Sequence, residues 1–588
     1  MHKKVLTINI LFLYLALLIF IPVLLSFQGL DLTDTGWVLS NYQQIFTDPE
    51  SVSYWFHLWL TNIAGGLWNL LFKGAGLLSF KFAGVLIFWM TALIVYFLFK
   101  DILPKEYLLP ALVSGMVFQF AGKITVIHYN NLTTLLLFLG IFLLVKGLRN
   151  NSRFLMFLSG FIFALNGFVR LPNILGILFV LIIIYDARAN QYNIIHELMN
   201  IILFLSGALA SIVLILGIML ILGHLPIYLS SVRDLFAGTG DELSHYKSNT
   251  IEKKFLYDHA RAVLSSMIGL GSFYLLTRIL SSEKRLGIKR LFHVMITLFL
   301  SAGSYFFFWK EPMMLVYPVV GFTYFTCFLI MITQGKKDHG NKLIAFSVMI
   351  AFAILSVGSD TGMKVASYGF LIGFPLIFRF WILVPDLHIS YESTLNGILL
   401  VHKNISLSQI ARREAFIYFL LFYGSFSVPL LIRDTYRDTP ERWRMSTSIS
   451  HPLLHGIFTT PERAEVVQGL LSEVSKYTKP GDFLLTFESI PMIHFLTQTR
   501  PYAYNPWSIL YLPAEFERAL NKARLERSKL PLIILATTQT RSSRWPNSGP
   551  VSNTETAAKN RKLLYKFLEE YKYKTVWENQ AFRVLLPS

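Results

Sequence analysis

Asp31 and Asp34, in the tetrapeptide Asp31-Leu32-Thr33-Asp34, stand three positions apart just beyond the first long hydrophobic run of the chain. Two carboxylates in that place cannot serve an apolar core. A carboxylate within hydrogen-bond reach of a hydroxyl can take its proton as a general base. Asp34 is the candidate base. Asp31 is its candidate partner, orienting an acceptor, tuning the base, or joining it at a divalent cation such as Mg or Mn. The competing reading is a solvated turn that ends the hydrophobic run, with a helix starting at Asp34 as N-cap.

Three bases stand alone between apolar runs: Arg170 in Arg170-Leu171-Pro172-Asn173, Lys310 in Trp309-Lys310-Glu311-Pro312, and Lys364. Ionisable groups at membrane level are costly and so are functional candidates, with snorkelling interfacial anchors as the rival account. His128, Asn130 and Asn131 are candidate substrate contacts, although a capped turn explains them equally well. Tyr246, in a polar segment near 223–261, and Asp360 are further candidates. Asp360-Thr361-Gly362 repeats Asp34-Thr35-Gly36, and paired Asp-Thr-Gly triplets mark soluble aspartic proteases. That fold is all-β, whereas both triplets here sit at the ends of predicted membrane helices; a Gly/Ser-rich interhelical turn is the plainer account of Asp360. Histidines at metal-ligand spacing are absent, and the single Cys327 excludes a disulfide or a cysteine metal site within one chain.

The elements that must hold these residues are membrane helices. Over 588 residues the sequence is 54% hydrophobic and 15% charged, with a mean hydropathy of +0.51, which excludes an ordinary soluble globule. The first run, near 5–26, follows His2-Lys3-Lys4, lacks a small-residue cleavage site and reads as a retained anchor. Further spans are predicted near 79–99, 108–122, 132–148, 152–169, 171–186, 198–222, 262–281, 290–308, 312–333, 342–357, 366–385 and 412–432, about thirteen in all. Alternate loops hold clusters such as Lys146/Arg149/Arg153 and Lys284/Arg285/Lys289/Arg290, while the intervening ones carry single bases such as Lys123 and Arg170. This asymmetry predicts a cytoplasmic amino terminus and an external carboxy terminus. It also accounts for much of the net charge of +18 without nucleic-acid binding.

The first external loop, 28–78, contains Tyr54-Trp55-Phe56-His57-Leu58-Trp59, expected as short helices with Trp and Tyr at headgroup level. The second, 223–261, is expected to be either a lid or an unstructured connector. From 433 to 588, helix-like stretches alternate with apolar strands (462–478, 483–487, 513–527, 532–535, 558–571, 574–577, 582–586), the pattern of a small α/β layer domain. It has no Gly-rich phosphate loop and so no assigned nucleotide site. The predicted fold is therefore an α-helical polytopic membrane protein, 1–432, carrying an extracytoplasmic α/β domain, 433–588.

This plan resembles the type-C (GT-C) integral-membrane glycosyltransferases, among them protein O-mannosyltransferases and lipid A aminoarabinose transferases. The opening Asp34-Thr35-Gly36-Trp37 through Ile45-Phe46 looks like the acidic start of their first external loop. Lys479-Pro480-Gly481-Asp482, Ser489-Ile490-Pro491-Met492 and Pro506-Trp507 are similar to segments of the outer domain in bacterial members. Many members carry Asp-Glu or Asp-Asp where this chain has Asp-Thr-Gly, which leaves the base and the metal open. The resemblance implies a bacterial inner-membrane enzyme. It would move a sugar from a polyprenyl phosphate to a lipid, polysaccharide or protein acceptor outside, with Asp34 as base, Arg170, Lys310 and Lys364 as candidates for the leaving phosphate, and His128, Asn130, Asn131, Asp360 and Tyr246 toward substrate. Rival classes are a transporter or lipid flippase, which would show repeats and charges within spans, and a lipid-linked glycan ligase or polymerase, which would place its chemistry in a late loop.

Overall fold

Backbone in lipid must satisfy its own hydrogen bonds, and the apolar runs of this chain do so as helices. A computed structural model describes residues 2–238, 248–280, 312–335, 338–359, 361–385, 387–395, 398–407, 409–551 and 553–588. Among the described residues, nine helical segments are long and apolar enough to cross a membrane: Asn9–Ser26, Gly76–Phe99, Tyr129–Arg149, Leu171–Ala189, Ile194–Ile221, Met313–Thr333, His339–Ser356, Gly362–Leu383 and Arg412–Arg433. The chain is a polytopic helical membrane protein. Of the other expected spans, 108–122 and 152–169 fold as the shorter helices Lys105–Phe120 and Arg153–Gly167, and the described part of 262–281 forms the end of the helix Ser248–Leu280. The span expected at 290–308 lies outside the described residues.

The helices differ in how they meet lipid. Across its most apolar 18 residues Gly362–Leu383 is 89% buried, and Asn9–Ser26 only 17%. The first helix is therefore peripheral: it turns Phe12, Leu13, Phe20 and Leu24 outward and is tied inward by the Trp89 indole, which donates to the Leu18 carbonyl at 3.1 Å. Close helix crossings rest on small residues. A Cβ on Gly160 would lie 1.8 Å from the Phe204 carbonyl oxygen, and one on Gly207 would lie 1.9 Å from that of Phe157.

The segment expected as an unstructured lid or connector is instead helical on both sides, Leu225–Gly238 and Ser248–Leu280; residues between them, Tyr246 included, lie outside the described set. Before the last span lies an antiparallel hairpin, Leu387–Leu395 with Ile398–Leu407.

The carboxy-terminal region holds a five-stranded sheet. Phe483–Phe487 pairs in parallel with Arg500–Pro501 and with Leu532–Ala536; Phe582–Leu586 then adds antiparallel to Leu532–Ala536, and Lys574–Glu578 antiparallel to Phe582–Leu586. Helices cover it from capped starts. The Thr460 hydroxyl accepts from the Arg463 N–H ahead of Pro461–Val474, and the Thr554 hydroxyl accepts from the Ala557 N–H ahead of Glu555–Glu570.

This region shares its core with the first loop. The Met492 N–H donates to the Leu32 carbonyl at 3.0 Å, the Ser40 hydroxyl to the Pro491 carbonyl at 3.1 Å, and the Trp55 indole to Asn505 Oδ1 at 3.2 Å. Trp55, Phe56 and Trp59 are buried by these contacts and by the helix Leu225–Gly238, so these aromatic side chains face protein. Leu67, Leu70, Leu71 and Phe72, at the end of the helix Trp59–Leu71, are exposed.

Candidate functional site

The helix Asp34–Gln44 begins where the sequence places its acidic pair, but its cap is Asp31. Asp31 Oδ1 accepts from the Thr33 N–H at 2.8 Å and the Thr33 hydroxyl at 2.6 Å, and Oδ2 accepts from the Thr35 N–H at 2.7 Å. Both oxygens of this buried carboxylate are thus engaged by its own turn. Burial and the neighbouring Asp34 charge push its pKa up, against the opposing pull of Arg437 and these donors.

Asp34 is the accessible member of the pair. Its Oδ2 takes a 2.8 Å hydrogen bond from the Tyr436 hydroxyl and a 2.8 Å ion pair from Arg437 Nη2. No described residue hydrogen-bonds Oδ1. Tyr436 and Arg437 follow the last span by a few residues, so two segments four hundred positions apart meet at one carboxylate. Arg437 is held with φ at 49°, in the left-handed region. Such backbone persists where surrounding bonds over-determine it: Arg437 Nη1 donates to the Thr33 hydroxyl at 2.9 Å, and its carbonyl accepts from Arg463 Nη1 at 3.1 Å. Burial and the Asp34 charge raise the Tyr436 pKa well above its ordinary 10, so this phenol is a donor at any physiological pH.

Beside this pair lies a cleft whose lining includes Asp31, Lys81, Lys123, Thr435, Tyr436 and Arg442. Lys81 donates to the Gln28 and Gly29 carbonyls, both at 2.7 Å. Lys123 donates to the Ser367 hydroxyl and lies over the Phe118 and Tyr368 rings. Arg442 Nε donates to the Leu431 carbonyl at 3.0 Å, and its Nη1 to Gln28 Oε1 at 3.4 Å. None of the three has a carboxylate ion-pair partner among the described residues, and each keeps N–H groups unspent. Burial lowers the Lys123 pKa to about 7 and that of Arg442 to about 10.

The remaining candidates divide. His128 accepts the Asn130 N–H on Nδ1 and donates its own N–H to Asn131 Oδ1, so His128 and Asn131 form the capping box of the helix Tyr129–Arg149. His128 nonetheless faces the site, with its ring 6.4 Å from that of Trp37; burial lowers its pKa to about 4 and leaves it neutral. Asn130 lies against the Tyr368 hydroxyl. Arg170 does not join the cleft lining: its Nε donates to Asn173 Oδ1, and its Nη2 to the Ile354 and Leu355 carbonyls that end the helix His339–Ser356. This is a helix C-terminus satisfied by a cation. Lys364 sits in the short helix Gly362–Gly369, whose Met363 N–H donates to Asp258, and it too is absent from the cleft lining. Lys310 and Asp360 lie outside the described residues.

No family model and no curated protein sequence matches this chain. The site therefore rests on its own chemistry. The Asp31 oxygens are committed to N–H and O–H donors and the Arg437 guanidinium stands at Asp34 Oδ2, which leaves Asp34 Oδ1 as the open oxygen of the acidic pair. Among the described residues there is no group of three His, Cys, Asp or Glu side chains able to hold a metal. Lys81, Lys123, Tyr436, Arg437 and Arg442 were not picked out as site residues from the sequence. Lys81 carried a signal nonetheless, as a lone base inside an apolar run, and Lys123 as the single base of its loop; the others depend on contacts between distant segments.

Proposed function

We propose that this chain is an inverting membrane glycosyltransferase of the type-C plan, with about thirteen spans, a cytoplasmic amino terminus, and the Asp31–Asp34 turn, its neighbouring cleft and the 433–588 domain outside. Its donor is a sugar on a polyprenyl phosphate, and its acceptor a lipid, polysaccharide or protein hydroxyl of the cell envelope. The observation that carries this reading is a partly accessible Asp34 carboxylate in the turn whose other acid, Asp31, lines a cleft with three buried cations, Lys81, Lys123 and Arg442, at the end of the first span. A base and an anion seat side by side at a membrane boundary suit a donor whose tail stays in lipid while its phosphate and sugar emerge.

In the proposed reaction the acceptor hydroxyl donates its proton to Asp34 Oδ1. The acceptor oxygen bonds to the anomeric carbon from the face opposite the phosphate. The bond between that carbon and the phosphate oxygen breaks, its electron pair stays on the phosphate, and configuration inverts. Lys81, Lys123 and Arg442 offset the charge that develops on the leaving group. Tyr436 and Arg437 fix Asp34 Oδ2 and so aim Oδ1. Asp31 is a positioning residue, since it holds the turn on which Asp34 sits. The proton on Asp34 passes to water before the next cycle.

Glycan and lipid-linked-sugar profiling of cells carrying wild type or Asp34→Asn, at matched membrane levels, tests the reading. The expected result is accumulation of one polyprenyl-phosphate sugar and loss of one surface glycoform. Unchanged carrier and glycan pools would overturn it in favour of a transporter.

A further inference from the structure

A second cation approaches Asp34 from the carboxy-terminal region. Arg541 is exposed, yet it lies over the ring of the buried Trp507, 4.7 Å from its centroid, within electrostatic reach of Asp34, Asp31, Tyr436 and Arg437. Its strongest electrostatic neighbour is the like-charged Arg437, ahead of Asp34, and it has no hydrogen-bond or ion-pair partner among the described residues. The indole beneath it and the amide bonded to that residue keep unspent donors. Trp507 Nε1 and Asn505 Nδ2 are buried without a partner, on residues 2% and 1% exposed respectively. Asn505 is fixed through its other amide atom, since Oδ1 accepts from the Trp55 indole and the Trp507 N–H. A guanidinium flattened on an indole keeps its N–H edge free and planar, the geometry that grips a carboxylate or phosphate with two parallel hydrogen bonds.

Arg541 is also separate from the Lys81–Lys123–Arg442 cleft: it comes from a different part of the chain and is not among that cleft's lining residues. Two separate cationic groups therefore flank the Asp31–Asp34 turn, the cleft on the Asp31 side and Arg541 on Trp507, and a displacement reaction has one leaving phosphate. Resting on the transferase reading above, we infer that Arg541 on Trp507 is the acceptor subsite, and that the acceptor carries an anionic group, a phosphate or a carboxylate, close to the hydroxyl that Asp34 deprotonates. Specificity for a charged acceptor then resides in the 433–588 region, and affinity for the carrier in the membrane cleft.

Binding of small probes to the purified full-length chain in nanodiscs tests this. The probes are glucose 6-phosphate, methyl glucuronide, neutral methyl glucoside and farnesyl phosphate, and the proteins are wild type, Arg541→Gln, Arg541→Lys and Lys123→Gln. The expected result is that one anionic sugar binds wild type, weakens at least tenfold in Arg541→Gln and only partly in Arg541→Lys, and is indifferent to Lys123→Gln. Whether glucose 6-phosphate or methyl glucuronide behaves this way separates a phosphate-bearing from a carboxylate-bearing acceptor. Farnesyl phosphate should show the reverse dependence. If Arg541→Gln weakens farnesyl phosphate instead, or if neither anionic sugar binds better than methyl glucoside, the acceptor assignment is wrong. The Asp34→Asn profiling in cells is independent of this binding, so the failure of either reading is recognisable on its own.

Discussion

Arg437 Nη2 stands 2.8 Å from Asp34 Oδ2 and ties the strap after the last span to the first turn of the first loop. Both side chains are about a quarter exposed, so the pair itself contributes at most about 1 kcal/mol to stability. Its larger effect is on aim. Arg437→Met should lower the melting temperature little while reducing sugar transfer about 10²-fold, the scale of a misplaced reacting group. Arg437→Lys, which keeps the charge but loses the planar fork, should fall between. Thermal unfolding and glycoform quantification on the same membranes check this; a variant that unfolds rather than misfires would show Arg437 to be a brace only.

Asp438 and Arg463 carry the opposite balance. Their ion pair, at 3.1 Å, joins side chains 0% and 2% exposed. Asp438 also accepts from the Leu30 N–H at 2.7 Å and the Thr459 hydroxyl at 2.8 Å. Removing one partner of a buried pair leaves the other charge uncompensated, at about 3–5 kcal/mol. Asp438→Asn should therefore destabilise the junction of first loop and carboxy-terminal region by that order, and Arg463→Met by a similar amount. Limited proteolysis of the full chain in membranes should show the 433–588 region cleaved faster, with the spans still protected.

Gly36, in the Asp34-Thr35-Gly36 triplet, has a packing role. A Cβ there would meet the Met492 backbone N at 2.2 Å and its Cα at 2.5 Å. Backbone cannot yield as a side chain does, so Gly36→Ala should push the Asp34 helix away from the helix Met492–Thr497 and break the bond from the Met492 N–H to the Leu32 carbonyl. The expected outcome is lost transfer with a lowered unfolding temperature. Ser40→Ala, which removes one hydroxyl bond to the Pro491 carbonyl at the same contact, should cost about 1 kcal/mol and leave transfer near normal.

Local features of this chain were legible and long-range ones were not. The strands at 483–487, 532–535 and 582–586 followed from apolar runs bounded by turn residues, and most spans from hydropathy. Asp31 and Asp34 stood out because charge beside a membrane run is costly. The pairing of Asp34 with Tyr436 and Arg437 left no local trace, since it depends on how the first loop docks onto a segment four hundred residues later. The same docking buries Trp55 and Phe56, whose composition alone reads as interfacial. Arg170 shows the same limit: an isolated arginine at a span boundary says nothing of the helix end that it caps.

Lys123 makes carrier binding pH-dependent in a definite sense. Burial lowers its pKa from 10.5 to about 7, because the charged ammonium loses hydration that the Ser367 hydroxyl and the Phe118 and Tyr368 rings replace only in part. Between about pH 7 and 10.5 the unfolded chain holds a proton that the empty folded site has shed, so this group's stability cost is full below pH 7 and relieved as pH rises. Binding runs the other way, since a phosphate needs the ammonium. Farnesyl phosphate affinity should therefore fall as pH climbs through 7 to 9, by up to tenfold per unit if one proton is taken up. His128, neutral throughout that range, should contribute nothing. Lys123→Arg keeps its charge across the range and should flatten the profile, whereas Lys123→Gln should give weak, pH-independent binding. A wild-type profile as flat as that of Lys123→Gln would remove Lys123 from the phosphate seat and leave Lys81 and Arg442 to hold it.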